Sequence, residues 1–177
     1  MRLAPDLILA AALVAGAAVL IHRRALRRER SAERAFPPTG RLIGPPGRQI
    51  HAHVEGAGRD VVLIHGASGN TRDFTHDLVG RLARNFRVTA FDRPGLGWSD
   101  ALGAEGGSPA AQARALRAAA RELGLTRPIL VGHSYGGAVA MAWALDDPDQ
   151  VDAVVLLGGA TMPWPGGLGL WYAITSS

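Results

Sequence analysis

The sequence predicts an α/β fold, a mainly parallel sheet with helices on both faces, preceded by a separate apolar helix. Three observations carry this. Short apolar runs rich in Val, Ile and Leu alternate with longer stretches of helical pattern along residues 48–160. Breaks rich in glycine and proline punctuate the alternation. One uninterrupted apolar segment, Leu7–Ile21, stands before all of them.

That first segment holds no charged or polar side chain, and Leu3-Ala4 extends it backwards past Pro5 and Asp6. Its length, about 15 clean residues or about 19 with the prefix, is near the lower limit for a spanning helix. A cleaved signal peptide would carry its cations before the apolar run and a small-residue cleavage site after it. Here Arg2 alone precedes the run, and His22-Arg23-Arg24-Ala25-Leu26-Arg27-Arg28 follows it. The expectation is therefore an uncleaved single-pass membrane anchor near the N-terminus. A signal peptide and a soluble helix are the lesser readings. Arginine excess marks the side that is not translocated, so the following domain is expected in the cytoplasm.

Residues 1–34 contain seven arginines against Asp6, Glu29 and Glu33, which accounts for the whole net charge of +4. The remaining residues hold 12 arginines and 12 acids. Such a distribution suits a juxtamembrane flank rather than a DNA-binding face, so no nucleic-acid partner is expected. The absence of cysteine excludes disulfides, a thiolate nucleophile and Cys-based metal sites. The predicted organisation is an anchor and basic flank at 1–24, a linker at 25–47, a core at 48–160 and a further region at 161–177.

The linker carries Pro37-Pro38 and Gly44-Pro45-Pro46-Gly47. Gln49–Val54 is an early strand candidate, and Val61–Ile64 is an all-apolar run suited to a strand buried on both faces. Asp73–Leu82 follows with Phe74, Leu78 and Leu82 at helical spacing, then Arg87–Phe91 as a strand. Ser108-Pro109 offers an N-cap with proline at the first helical position, opening a helix to Leu123 that stops at Gly124. Ile129–Val131, Ala138–Leu145 and Val154–Leu157 complete the series as strand, helix and strand. In sheets wound this way, chemistry gathers at the carboxyl ends of strands.

Gly132-His133-Ser134-Tyr135-Gly136 lies at such an end and fits G-x-S-x-G. By composition, about 0.1 such matches arise by chance, so the strand before it and the helix after it carry the assignment. A sharp strand-to-helix turn strains the serine backbone and brings neighbouring chain close, which requires small residues at Gly132 and Gly136. Ser134 is thus expected as a nucleophile. Its oxyanion would be held by the backbone N–H of Tyr135, at a helix start, and by that of Ala67, in the turn His65-Gly66-Ala67-Ser68-Gly69-Asn70 after an earlier strand.

With His65-Gly66, Phe91–Ser99 and Gly132–Gly137 at successive strand ends, the chain resembles the α/β-hydrolase family. Within it, it is similar to the esterase, lipase and cofactor-free haloperoxidase group. The resemblance covers residues 48–160. It implies a serine hydrolase acting on an ester or related acyl bond of a small-molecule substrate, needing no cofactor or metal. Carbon–carbon bond hydrolysis, acyl transfer and peracid formation rank behind. In the family, the Asp92 position holds the loop that follows it.

The family's acid and histidine follow the serine in chain order. The histidines are 22, 51, 53, 65, 76 and 133, all before Ser134. Asp146, Asp147, Asp149 and Asp152 surround Pro148 at the wrong end of the sheet and read as solvated loop and cap residues. His51 and His53 share a strand face, but no third ligand is near them in sequence, and no metal site is expected. The triad partners are expected beyond residue 177, which makes this chain an inactive fragment, truncated before the last strands. Residues 161–177 would begin a lid, with Trp164 and Trp171 packing in it. The competing class is a non-catalytic ligand-binding relative.

Overall fold

A computed structural model describes residues 5–162, with side chains from Leu7 onward. The chain divides into Met1–Pro38 and Thr39–Ser177. The first unit is one helix, α1 (Pro5–Ala35). It is long and apolar enough to cross a membrane, by length and composition. The expected linker began at residue 25, but the helix runs on to Ala35. Residues 25–35 are mostly Ala, Leu, Arg and Glu, all good helix formers, and Pro37-Pro38 then ends it.

The expected linker also contains a strand, β1 (Arg41–Ile43), paired antiparallel with β2 (Ile50–Glu55). Gly44-Pro45-Pro46-Gly47 is the turn of this hairpin, with φ of 98° at Gly44 and 82° at Gly47 and a bond from Arg48 N to Pro45 O. A three-residue edge strand is too short to show periodicity, so only the turn left a mark in the sequence.

The remaining strands are β3 (Arg59–Ile64), β4 (Phe86–Phe91), β5 (Ile129–His133) and β6 (Ala153–Leu157). The six-stranded sheet has the order β1-β2-β4-β3-β5-β6, parallel from β4 through β6 and antiparallel at β1 and β2. The helical pattern at 73–82 resolves into α2 (Arg72–Thr75) and α3 (Leu78–Leu82), broken at Asp77 with φ −150°. α4 (Pro109–Glu122) is capped by Ser108, whose hydroxyl accepts from Ala111 N at 3.3 Å. α5 (Tyr135–Asp146) starts three residues before the expected Ala138, directly after Ser134.

Alternation along β3 splits the core into two layers. Val62 and Ile64 face Leu116 of α4 with Val139 and Trp143 of α5. Val61 and Leu63 face Phe74 of α2 and Val79 of α3. Each such side chain contributes about 1.5–3 kcal/mol through burial. Both faces of the sheet are therefore covered. Among the described residues β6 is the edge strand opposite β1, and Val155, Leu156 and Leu157 remain 41–43% exposed.

Winding proceeds from β3 to β4 on one side, then crosses through α4 to β5 on the other side of β3. The carboxyl ends of β3 and β5 thus border the point where winding reverses, where ligands bind in such sheets. Asp146, Asp147 and Asp152 sit away from it, paired with Arg117, with Arg117 and Arg121, and with Arg59 and Arg127 respectively. Exposed pairs of this kind contribute little to stability.

At the opposite, amino end of the parallel strands, buried Asp60 accepts from Arg87 Nε and Nη2 of β4, and from Thr126 N before β5. That bond raises the Arg87 pKa. Asp60→Ala should cost about 2–3 kcal/mol by removing charge-assisted bonds to two strands. Urea unfolding checks this as a lower midpoint with an unchanged slope.

Candidate active site

β5 places Ser134 at the winding reversal, and α5 starts at the next residue. Its backbone has φ 51° and ψ −119°, a region that side-chain-bearing residues rarely adopt and that costs about 1–3 kcal/mol. Three backbone hydrogen bonds hold it there. Ser134 N donates to Leu157 O at 3.0 Å, and Ser134 O accepts from Gly137 N and Ala160 N, each at 2.9 Å. β5 also pairs Gly132 with Ile64 of β3.

The glycines flanking the serine have no room for a side chain. A Cβ on Gly136 would overlap the carbonyls of Ile64 and His65, and one on Gly132 would overlap Gly136 and Gly137. These approaches seat the first turn of α5 against the end of β3. The turn after β3 lies beside the serine, since a Cβ on Gly66 would be 3.1 Å from Ser134 Cβ. Ala67 and Ser68 of that turn are exposed, and Ser68 also has a positive φ, 57°. The structure therefore brings together His65, Gly66, Ala67, Gly132, Ser134, Tyr135 and Gly136.

His65 is fully buried and both its ring nitrogens are engaged. Nε2 accepts from Arg93 N at 2.9 Å, so Nδ1 carries the proton and donates to Gly66 O at 2.9 Å. Burial lowers its pKa, and together with the Arg93 charge it outweighs the Gly66 bond, which favours the charged ring. Held this way, it shapes the turn and is not free to take a proton from Ser134.

Asp92, at the end of β4, is a buried junction. Its carboxylate accepts from Thr71 N at 2.6 Å, Trp98 N at 2.9 Å and His51 Nδ1 at 2.7 Å. His51 Nε2 accepts from Gly40 N at 3.2 Å, which fixes its tautomer. Burial pushes the Asp92 pKa up, but the bonds from His51, Trp98 and Thr71 outweigh it and hold the group below its ordinary value. Gly97, at φ 55°, passes so close to the carboxylate that no Cβ fits.

His51 thus serves Asp92 rather than a metal, and its neighbour His53 faces Thr39 Oγ1 at 3.2 Å and Glu55 at 3.4 Å. Among the described residues no three His, Asp or Glu side chains converge as metal ligands. Sequence reasoning missed Arg93, a buried guanidinium bonded to His65 O, Gly66 O and Gln112. The one available signal was a charged pair, Asp92-Arg93, closing an apolar strand. Trp164 and Trp171, with the lid expected at 161–177, lie outside the described residues apart from Thr161 and Met162.

Two of the buried titratable groups, His65 and Asp92, give stability a defined acid dependence. His65 is depressed below its ordinary 6.5, so the unfolded chain binds a proton that the folded chain does not as pH falls past that value. Stability should be full above about pH 6.5 and fall below it by up to about 1.4 kcal/mol per pH unit. Asp92 is depressed too, so its contribution is present above its ordinary 3.8 and is lost as pH drops further. Urea midpoints measured from about pH 8 down to about pH 2 check the sign of both, and His65→Asn should flatten the first decline.

A profile of the alpha/beta hydrolase fold matches residues 61–174. The chain is 35% identical over 124 residues to a 2-hydroxy-6-oxononadienedioate/2-hydroxy-6-oxononatrienedioate hydrolase of Paraburkholderia phymatum, covering 68% of this chain and 43% of that protein. It is 33% identical over 124 residues to a 2-hydroxy-6-oxo-6-phenylhexa-2,4-dienoate hydrolase of Burkholderia cepacia, covering 68% and 41%. In structure it is similar to an esterase from Exiguobacterium antarcticum, with TM-score 0.62 and 29% identity over 69% of this chain and 46% of that one. The chain spans about two-fifths of the length of these curated relatives. Alike in sequence along the strands that flank the winding reversal, and alike in the fold around it, this chain belongs to the alpha/beta hydrolase fold family.

Proposed function

We propose that the intact protein is a serine hydrolase acting on an ester or related acyl bond of a small molecule, with Ser134 as nucleophile. The observation that carries this is the positive-φ serine on the β5–α5 turn, set beside the His65-Gly66-Ala67 turn. A strained serine with glycines on both sides is costly to keep as a mere connection.

In this reading Ser134 Oγ attacks the acyl carbon, and the Ala67 and Tyr135 N–H groups bind the resulting oxyanion. Collapse expels the leaving group and leaves an acyl-serine, which water then hydrolyses. A serine hydroxyl needs a base to take its proton, and His65 is committed to its own two bonds. The base is a histidine following Ser134 in the intact protein, oriented by an acid that precedes it, in the family's chain order. The residues of the site form the oxyanion half of the machinery and call for no cofactor.

A second reading is hydrolysis of a carbon–carbon bond beside a ketone, which the names of the curated relatives favour. The same serine, oxyanion donors and base would serve it. Comparing kcat/KM for a 2-hydroxy-6-oxo-dienoate with that for a short-chain ester separates the two.

In the intact protein Ser134 should label with a fluorophosphonate, and Ser134→Ala should abolish labelling and lower turnover of p-nitrophenyl acetate at least about ten-thousandfold. Retained turnover in that variant would sink the assignment. A protein that binds ligand but neither labels nor turns over would instead be a non-catalytic relative.

For location, we propose that α1 anchors the protein in a membrane with the hydrolase domain on the cytoplasmic side. The apolar stretch Leu7–Ile21 followed by the arginine cluster supports this. Protease added outside sealed inside-out vesicles should digest the domain, and protease outside right-side-out vesicles should not. The reverse pattern would overturn the orientation, and recovery in the soluble fraction would overturn the anchor.

A further inference from the structure

Arg93 lies in the loop after β4 and is 3% exposed. Its Nε donates to His65 O at 2.9 Å, its Nη2 to Gly66 O at 2.8 Å and its Nη1 to Gln112 Oε1 at 2.8 Å. Its Cζ stands 4.7 Å from the centre of the Tyr135 ring. Among the described residues none of these partners is a carboxylate. A buried charge is costly unless something answers it, and here the answer is two carbonyls, an amide and an aromatic face.

Those partners surround the site from both sides. Gly66 C=O and Ala67 N–H are the two ends of one peptide unit. Gly66 O accepts from Arg93 Nη2 at 2.8 Å, His65 Nδ1 at 2.9 Å and Gly69 N at 3.3 Å. Donors crowded onto a carbonyl draw electron density out of the amide, and linked bonds polarise one another, so the N–H at the far end becomes a stronger donor. The bond from the guanidinium is charge-assisted and contributes most. On the other side, the same guanidinium rests on the ring of Tyr135, the first residue of α5.

We propose that Arg93 is the positioning residue of the oxyanion hole, fixing the His65-Gly66-Ala67 peptide planes and placing a full positive charge behind the Ala67 N–H. This rests on the assignment of Ala67 and Tyr135 as oxyanion donors. A substrate carbonyl is neutral and the tetrahedral oxyanion is charged, so the arginine acts mainly on the transition state. Its effect therefore belongs in kcat rather than KM.

The test uses the intact protein with Arg93→Gln, Arg93→Lys and Gln112→Leu. Arg93→Gln should lower kcat about 30- to 100-fold with KM within about twofold, a smaller loss than deleting a donor outright. Affinity for a trifluoromethyl ketone, which forms a charged adduct with the serine, should fall by the same factor, while affinity for the matching methyl ketone holds. Arg93→Lys keeps the charge and should recover at least about tenfold of the lost rate. Gln112→Leu frees one arm of the arginine but keeps its charge, and should lower the melting temperature with kcat within about twofold.

If Arg93→Gln weakens both ketones equally, or changes only the melting temperature, the residue is structural and the inference is overturned. If Ser134→Ala retains turnover, the catalytic reading falls first and takes this one with it. A dead Ser134→Ala beside an unimpaired Arg93→Gln overturns this inference alone.

Discussion

The site depends on how closely one helix can approach the ends of three strands. Gly136 lets the first turn of α5 lie against the carbonyls of Ile64 and His65, Gly132 lets that turn fold back on β5, and Gly137 meets Gly159 beyond β6. One methyl group at any of these points would push α5 away from the sheet. The chain reaches this arrangement only by passing through a left-handed φ at Ser134, and the bonds to Leu157 and Ala160 offset that strain. Close packing and strain at the serine are consequences of one geometric demand.

Two buried carboxylates then fix the sheet at its two ends, with different tasks. Asp60 joins β3, β4 and the approach to β5 at the amino end of the parallel strands, and its partner Arg87 is partly exposed. Asp92 joins β2, the α2 turn and the glycine-rich loop beside Ser134, with His51 and Thr71 buried and Trp98 half-buried. The first secures strand register, whereas the second secures the loops at the carboxyl ends of the strands.

Much of this was legible in the residues. β-branched runs gave β3, β5 and β6, and Ser108-Pro109 gave the start of α4, because these features are local and periodic. The turn at Ser134 was legible because its sterics force glycine at fixed offsets from the serine. β1 was not, since three residues carry no period, and α1 ran past its expected end because arginine is as good a helix former as it is a flank. Arg93 and His51 were illegible for another reason. Arg93 bonds to backbone carbonyls, which any residue supplies, and His51 to a carboxylate 41 residues away, so neither leaves a pattern along the chain.

The Asp92 junction has a consequence for how the protein breathes. Thr71, Trp98 and His51 each surrender a hydrogen to one carboxylate, so the turn after β3, the loop after β4 and the second strand cannot loosen one at a time without leaving a buried anion short of donors. Their amides should exchange with solvent as a single cooperative unit rather than as three surface loops. Any opening beside Ser134 would then fall to segments outside the junction, because the three segments it joins move only together.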